Sequence, residues 1–212
     1  MNRLCPICSS SKKTLIYKQK FAGKEIPLMK NYDVVICKTC GFVFADRIPS
    51  QKEFDHYYAA MSKYEFNYAD GVVSKDYLAH FTRIVNFLTP LLSDQKAEIL
   101  DIGCSTGGLL SIFKLKGYTN LLGIDPSLSC IKAVRKIYRV EASVNNIANF
   151  KIDKKFDLVI LSAVLEHLVD FKNALIKIWS LLKGQGLLFI EVPDAERFAL
   201  FIQAPFQQFS IE

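Results

Sequence analysis

Four of the six cysteines fall in two pairs, Cys5-Pro6-Ile7-Cys8 and Cys37-Lys38-Thr39-Cys40. A C-x2-C pair suits a single metal ion, because a tight turn brings both sulfurs within about 2.3 Å of it, and two such pairs complete a tetrahedral thiolate site of the kind that holds structural zinc. Pro6 stiffens the first turn and Gly41 follows the second pair. Disulfides and four unrelated thiols are the competing readings. Residues 1–10 carry no apolar stretch of the secretory type, so the expected setting is cytoplasmic and reducing, which disfavours disulfides. Cys104 and Cys130 stand apart and are expected as small buried residues.

A second constellation runs from Glu98 to Gly108, Glu-Ile-Leu-Asp-Ile-Gly-Cys-Ser-Thr-Gly-Gly. Its pattern predicts a strand carrying Asp101, then a loop of Gly103, Cys104, Ser105 and Gly107 that opens a helix. Glycines there let the backbone turn tightly and approach a ligand, with helix N-terminal amides left free. Asp125, followed by Pro126, ends the next strand, where a carboxylate can accept both hydroxyls of a ribose. The loop does not match the G-x-G-x-x-G that a dinucleotide pyrophosphate needs.

The elements that must position these residues alternate regularly. Strands are expected over 98–102, 121–124, 140–144, 156–161 and 187–192, with helices over 109–116, 127–138 and 171–182 between them. Such alternation implies a parallel sheet covered on both faces, an α/β architecture. An amphipathic helix capped by Ser74 and closed by Pro90 precedes it, with Tyr77, Leu78, Phe81, Ile84, Val85 and Leu88 on one face. Residues 51–73 read as an aromatic linker with a short helix near 52–58. Around the cysteines, strand-like runs lie at 15–17, 34–36 and 42–44.

Half of the 212 residues are hydrophobic and the mean hydropathy is +0.17, which excludes a disordered chain. The longest apolar run, 158–165, is far short of the ~18 residues of a membrane span. The first fifty residues hold nine Lys+Arg against three Asp+Glu, whereas the remaining 162 hold eighteen of each. The whole excess of +6 therefore sits on the cysteine-bearing segment, and four thiolates around one Zn²⁺ would reduce it by two.

The pattern Asp101-x-Gly103-x-x-x-Gly107 resembles the first motif of class I S-adenosylmethionine-dependent methyltransferases, with Ser105 where a middle glycine is usual. Phe156 to Leu168, containing Leu-Glu-His, and Leu187 to Asp194 resemble that family's fourth and fifth strands. The resemblance covers residues 74–194. It implies a Rossmann-like sheet, with Asp101 near the methionine amino group of S-adenosylmethionine. It also implies a loop of Gly103, Cys104, Ser105 and Gly107, the ribose at Asp125 and Pro126, the adenine at Asn146 and Ile147, and Ser162 on the fourth strand.

The cysteine pairs, the aromatic linker, the Val-Pro-Asp segment and Phe206-Gln-Gln-Phe-Ser-Ile-Glu212 together resemble a narrower group, the C-methyltransferases of nucleotide-activated deoxysugars. That resemblance implies a zinc-binding domain at 1–50, a linker or lid at 51–73 and a methyltransferase core at 74–212. It implies a keto-sugar acceptor whose carbon is deprotonated, with His167, Glu212, Tyr64 and Tyr68 as candidates for base and enolate stabiliser. For the tyrosines the plainer reading is packing of the linker onto the core, and for Glu166 and His167 orientation of the loop above the sheet. The histidine expected after Glu212, the last two strands and a further domain are not in the sequence, so the expectation is a fragment, with the last strand an exposed edge. Two alternatives stand beside this reading. One is a nucleic-acid methyltransferase with a basic zinc module, disfavoured because the aromatics lie where charge is balanced. The other is a non-catalytic scaffold.

Overall fold

The structure, a computed structural model, describes residues 3–20, 28–60 and 75–193. Tyr64, Tyr68 and Glu212 lie outside the described residues.

Near the N-terminus β1 (Lys13–Lys20), β2 (Asn31–Cys37) and β3 (Val43–Asp46) form an antiparallel sheet in the order β1-β2-β3. Its apolar centre is small: Cys5, Val35, Cys37 and Phe44. Helix α1 (Gln51–Ala60) follows, and its start is chemically explicit. Ser50 donates its N–H to Glu53 Oε2 at 2.8 Å while the Glu53 N–H reaches back to Ser50 Oγ at 3.4 Å, a reciprocal cap that satisfies two end amides.

The larger part opens with α2 (Lys75–Leu88), which a 3₁₀ turn containing Pro90 terminates. Its C-terminal half buries Ile84, Val85 and Leu88, whereas Tyr77 and Leu78 stay 44% and 41% exposed, so the apolar face expected from sequence is used over only part of its length. Then come β4 (Ile99–Ile102), α3 (Gly108–Leu115), β5 (Leu121–Asp125), α4 (Leu128–Ala133, continued by a π turn to Tyr138), β6 (Glu141–Val144), β7 (Phe156–Ser162), α5 (Phe171–Leu181) and β8 (Leu182–Glu191).

The five strands pair in parallel in the order β6-β5-β4-β7-β8. Period-two alternation divides their side chains between two apolar clusters. Ile99, Leu158 and Ile160 pack with α2, α3 and α4 on one face. Leu100, Val159 and Leu161 pack with α5 on the other. Strand β8 begins directly at the end of α5, five residues earlier than its apolar run suggests. Lys183-Gly-Gln-Gly186 has the composition of a turn but runs extended across an irregularity opposite Phe156 and Leu158. There a Cβ on Gly186 would lie 2.8 Å from the Phe156 carbonyl oxygen, so the close strand approach requires glycine. Among the described residues β8 is an edge of the sheet, and no helix is long and apolar enough to cross a membrane.

Candidate functional site

The four cysteines meet. Their sulfurs all lie within 4.8 Å of one another, with Cys5 and Cys40 at 3.6 Å and Cys8 and Cys37 at 3.5 Å. Sulfurs about 2.3 Å from a common tetrahedral centre would be about 3.8 Å apart, so the spread suits one ion.

The two turns that hold them are near copies. The Cys5 N–H donates to Ser10 O and the Ser9 N–H to Cys5 O; the Cys37 N–H donates to Phe42 O and the Gly41 N–H to Cys37 O. Ser9 and Gly41 occupy equivalent places, both with positive φ (60° and 76°). The electrostatics are uneven. Burial pushes the Cys37 thiol up, but the backbone N–H groups of Cys40 and Thr39 and its neighbouring thiols outweigh it and hold the group at about 6. At Cys40 the backbone hydrogen bond from Phe42 pulls the thiol down, while burial and the other three sulfurs carry it up to about 12. Four crowded sulfurs cannot all become thiolates without a cation, and a metal supplies one.

The second constellation lies at the carboxyl ends of the parallel strands. Asp101 is 3% exposed in the central strand β4. Burial, and then the charge of Asp125, push its carboxyl up to about 8. Asp125 ends β5, its Oδ2 accepting the Ser105 N–H at 2.9 Å and its Oδ1 the Ser127 N–H at 2.8 Å. Pro126 lies between Asp125 and Ser127, the residue that caps α4.

Gly103 has φ +73°, and a Cβ there would sit 2.5 Å from Val164 Cγ2, in the turn that follows β7. Gly107 caps α3 in the left-handed conformation. The loop amides of Gly103 and Cys104 donate to Ile124 O and that of Ser105 to Asp125, so these three tie the loop to β5. A side chain is left over as well: Ser105 Oγ is buried with no hydrogen-bond partner among the described residues. Cys104 and Cys130 are buried, as their type suggests.

The remaining expected residues fall around the same rim. Asn146 follows β6 and donates its Nδ2 to Asp55 Oδ2 at 2.7 Å, while its Oδ1 accepts the Asn149 N–H. Ile147 is in the apolar cluster shared with α5. Ser162, at the end of β7, donates to Glu191 Oε2 at 2.6 Å. His167 lies in the 3₁₀ turn Leu165–His167, its Nδ1 3.0 Å from Tyr58 OH, with the two rings edge to face. Asp157 starts β7 by accepting the Glu98 N–H and the Lys183 ammonium, a pairing role.

Three residues at this rim escaped the sequence reading of the site. Tyr58 on α1 is the described tyrosine that meets His167. Glu191 joins Ser162 to His80 Nε2, which is 3.1 Å away. Asp55 joins α1 to Asn146. The capping signature Ser50-x-x-Glu53 marks α1 as a real helix and could have drawn attention to its polar face. Nothing local marks His80 or Glu191 as partners, which are 111 residues apart.

A family model described as a methyltransferase domain matches residues 74–209. The carboxy-S-adenosyl-L-methionine synthase of Campylobacter fetus subsp. fetus is 30% identical over 155 residues, covering 68% of this chain and 63% of that protein. A ubiquinone biosynthesis O-methyltransferase of Pelagibacter ubique is 32% identical over 98 residues, 44% of this chain and 40% of that one. The chain thus spans less than two thirds of the length of these curated relatives. Among solved structures, a plantazolicin methyltransferase in complex with a desmethyl analog and SAH shares the fold with TM-score 0.54 and 20% identity, covering 73% of this chain and 65% of that one.

Proposed function

This chain belongs to the methyltransferase-domain family, and from that premise we propose that it transfers the methyl group of S-adenosylmethionine to a small-molecule acceptor. The observation that carries the reading is the carboxylate pair at the glycine loop. Asp101 is buried beside Asp125, and burial, then the Asp125 charge, lift its carboxyl to about 8. A ligand with an ammonium group beside a ribose diol matches both carboxylates: Asp101 would hold the ammonium and Asp125 the hydroxyls. The unsatisfied Ser105 Oγ gives the same ligand a hydrogen-bonding group inside the loop. When bound, the cofactor supplies an activated methyl on a sulfonium centre.

The chain's own part is to hold the acceptor and remove its proton. His167, its Nδ1 against Tyr58 OH, is the group we assign to that proton, since it stands at the carboxyl end of β7 where ligands of parallel sheets bind. The resemblance to deoxysugar C-methyltransferases supports a keto-sugar carried on a nucleotide as acceptor, and the remaining candidates Tyr64, Tyr68 and Glu212 belong to that reading. Relatives named as O-methyltransferases support instead an oxygen acceptor, and the same histidine could deprotonate a hydroxyl.

We further assign one structural zinc ion to Cys5, Cys8, Cys37 and Cys40, on their mutual approach and paired turns. Elemental analysis should return about one zinc per chain. Calorimetric titration of the zinc-loaded chain with S-adenosylmethionine should saturate at one site, and Asp125→Ala should weaken it strongly. No saturable binding by the parent, or equal binding by Asp125→Ala, overturns the cofactor reading.

A further inference from the structure

Helix α1 presents Gln51, Asp55 and Tyr58 at intervals of four and three residues, one face of a helix. All three touch loops at the carboxyl ends of the strands. Gln51 Oε1 accepts the Val169 N–H at 2.8 Å, Gln51 Nε2 donates to Asp55 Oδ1 at 3.0 Å, and Asp55 Oδ2 accepts Asn146 Nδ2 at 2.7 Å. Asn146 Oδ1 in turn accepts the Asn149 N–H at 2.9 Å.

The direction of each bond in this relay is fixed from outside. A backbone N–H stands at either end, and a backbone N–H can only donate. Both amide side chains must therefore turn their oxygens outward, and both must present their NH₂ groups to residue 55. That residue has to accept at both of its terminal atoms, Oδ1 and Oδ2, which a carboxylate does and an amide, with one oxygen and one NH₂, does not.

The relay joins two parts of the rim. One end is the loop after β6 that carries Asn146, and the other is Val169, two residues beyond His167. Val169 is held on its other side as well, because its carbonyl accepts Arg3 Nη2 at 2.7 Å. Arg3 is anchored in the cysteine module: its N–H donates to Asp46 at 2.7 Å and its Nη1 to Ala45 O at 3.0 Å, two residues before Cys5.

We propose that Asp55 and Gln51 are positioning residues, whose relay sets Asn146 and the His167–Val169 turn in one arrangement for the cofactor and joins that arrangement through Arg3 to the cysteine module. The inference rests on the cofactor reading above.

The test is calorimetric titration of the full zinc-loaded chain with S-adenosylmethionine. Asp55→Ala should lower affinity about five- to tenfold, the loss expected when a charged acceptor of two hydrogen bonds is removed. Asp55→Asn should also lower it, since an amide at 55 opposes one of its two donors. The exchange Asp55→Asn with Gln51→Glu restores every donor–acceptor pair while leaving Asn146 unchanged. A carboxylate at 51 accepts from both the Val169 N–H and the amide at 55, whose oxygen accepts Asn146 Nδ2, so affinity should return to within about twofold of the parent. A merely structural role does not predict that recovery. Parent-like affinity in Asp55→Ala overturns the proposal, as does an exchange variant no better than Asp55→Asn. A parent chain that fails to bind overturns the cofactor reading itself, and the parent titration alone reveals that outcome.

Discussion

The cysteine module and the parallel-sheet core are built on opposite terms. Among the described residues the module buries four apolar side chains together, two of them cysteines. The core buries eighteen on one face of its sheet and twelve on the other. A segment with so little apolar surface removed from water holds its shape through bonds to something else. The core needs no such help and carries a buried acid, Asp101, at its centre. On the proposed reading, stability in one region comes from a metal, and in the other it is partly given up to receive a cofactor.

That contrast can be broken most sharply at Cys37. Cys37→Ser, or removal of metal by a chelator, should unfold the module, because structural zinc contributes about 10–16 kcal/mol of apparent binding energy in small zinc domains. Hydrogen exchange should rise across residues 28–46 while β4 and β7 stay protected; loss of protection throughout would show that the two regions do not fold separately. Next in size, Phe113→Ala removes a fully buried ring in the core and should cost about 3–5 kcal/mol. Thermal denaturation should show it, with zinc content unchanged.

Third is the pH response of Asp101. Its folded carboxyl lies at about 8, above its ordinary value of 3.8. In the cofactor-free chain, stability should therefore fall as pH rises from the ordinary carboxylate range to about 8, because the unfolded chain releases the proton first. A cation bound to Asp101 needs the carboxylate, so affinity for S-adenosylmethionine should rise with pH, at most about tenfold per unit, and level off above about 8. Affinity that is flat from pH 6 to 8 would remove Asp101 from the cofactor site. The smallest effects separate the two cysteine turns. Gly41→Ala should destabilise the zinc-loaded module by about 1 kcal/mol, and Ser9→Gly should stabilise it slightly, both through the positive φ at those positions. Thermal denaturation of the zinc-loaded chain measures both.

The two regions were also unequally legible. In the core, strands expected at 98–102, 121–124, 140–144 and 156–161 appear as β4 to β7 with boundaries shifted by about a residue, since parallel strands buried on both faces read as unbroken apolar runs. The fifth was misjudged at its start, where two glycines disguised extended chain as a turn. The cysteine pairs showed which residues would meet, because their chemistry leaves few alternatives. What stayed hidden were contacts whose partners carry no local pattern. Asp55 with Asn146 and Tyr58 with His167 are 91 and 109 residues apart. Periodicity says which face of a helix is polar, not what that face will meet.

Strand β4 and helix α1 are held in place by different kinds of bond. Strand β4 is paired on both sides, by β5 and β7, so its amides open only when the whole core opens. Helix α1 is pinned to the rim by side-chain bonds from Gln51, Asp55 and Tyr58, which can let go without disturbing the sheet. Opening at the helix therefore costs a few side-chain bonds, whereas opening at the strand costs the sheet.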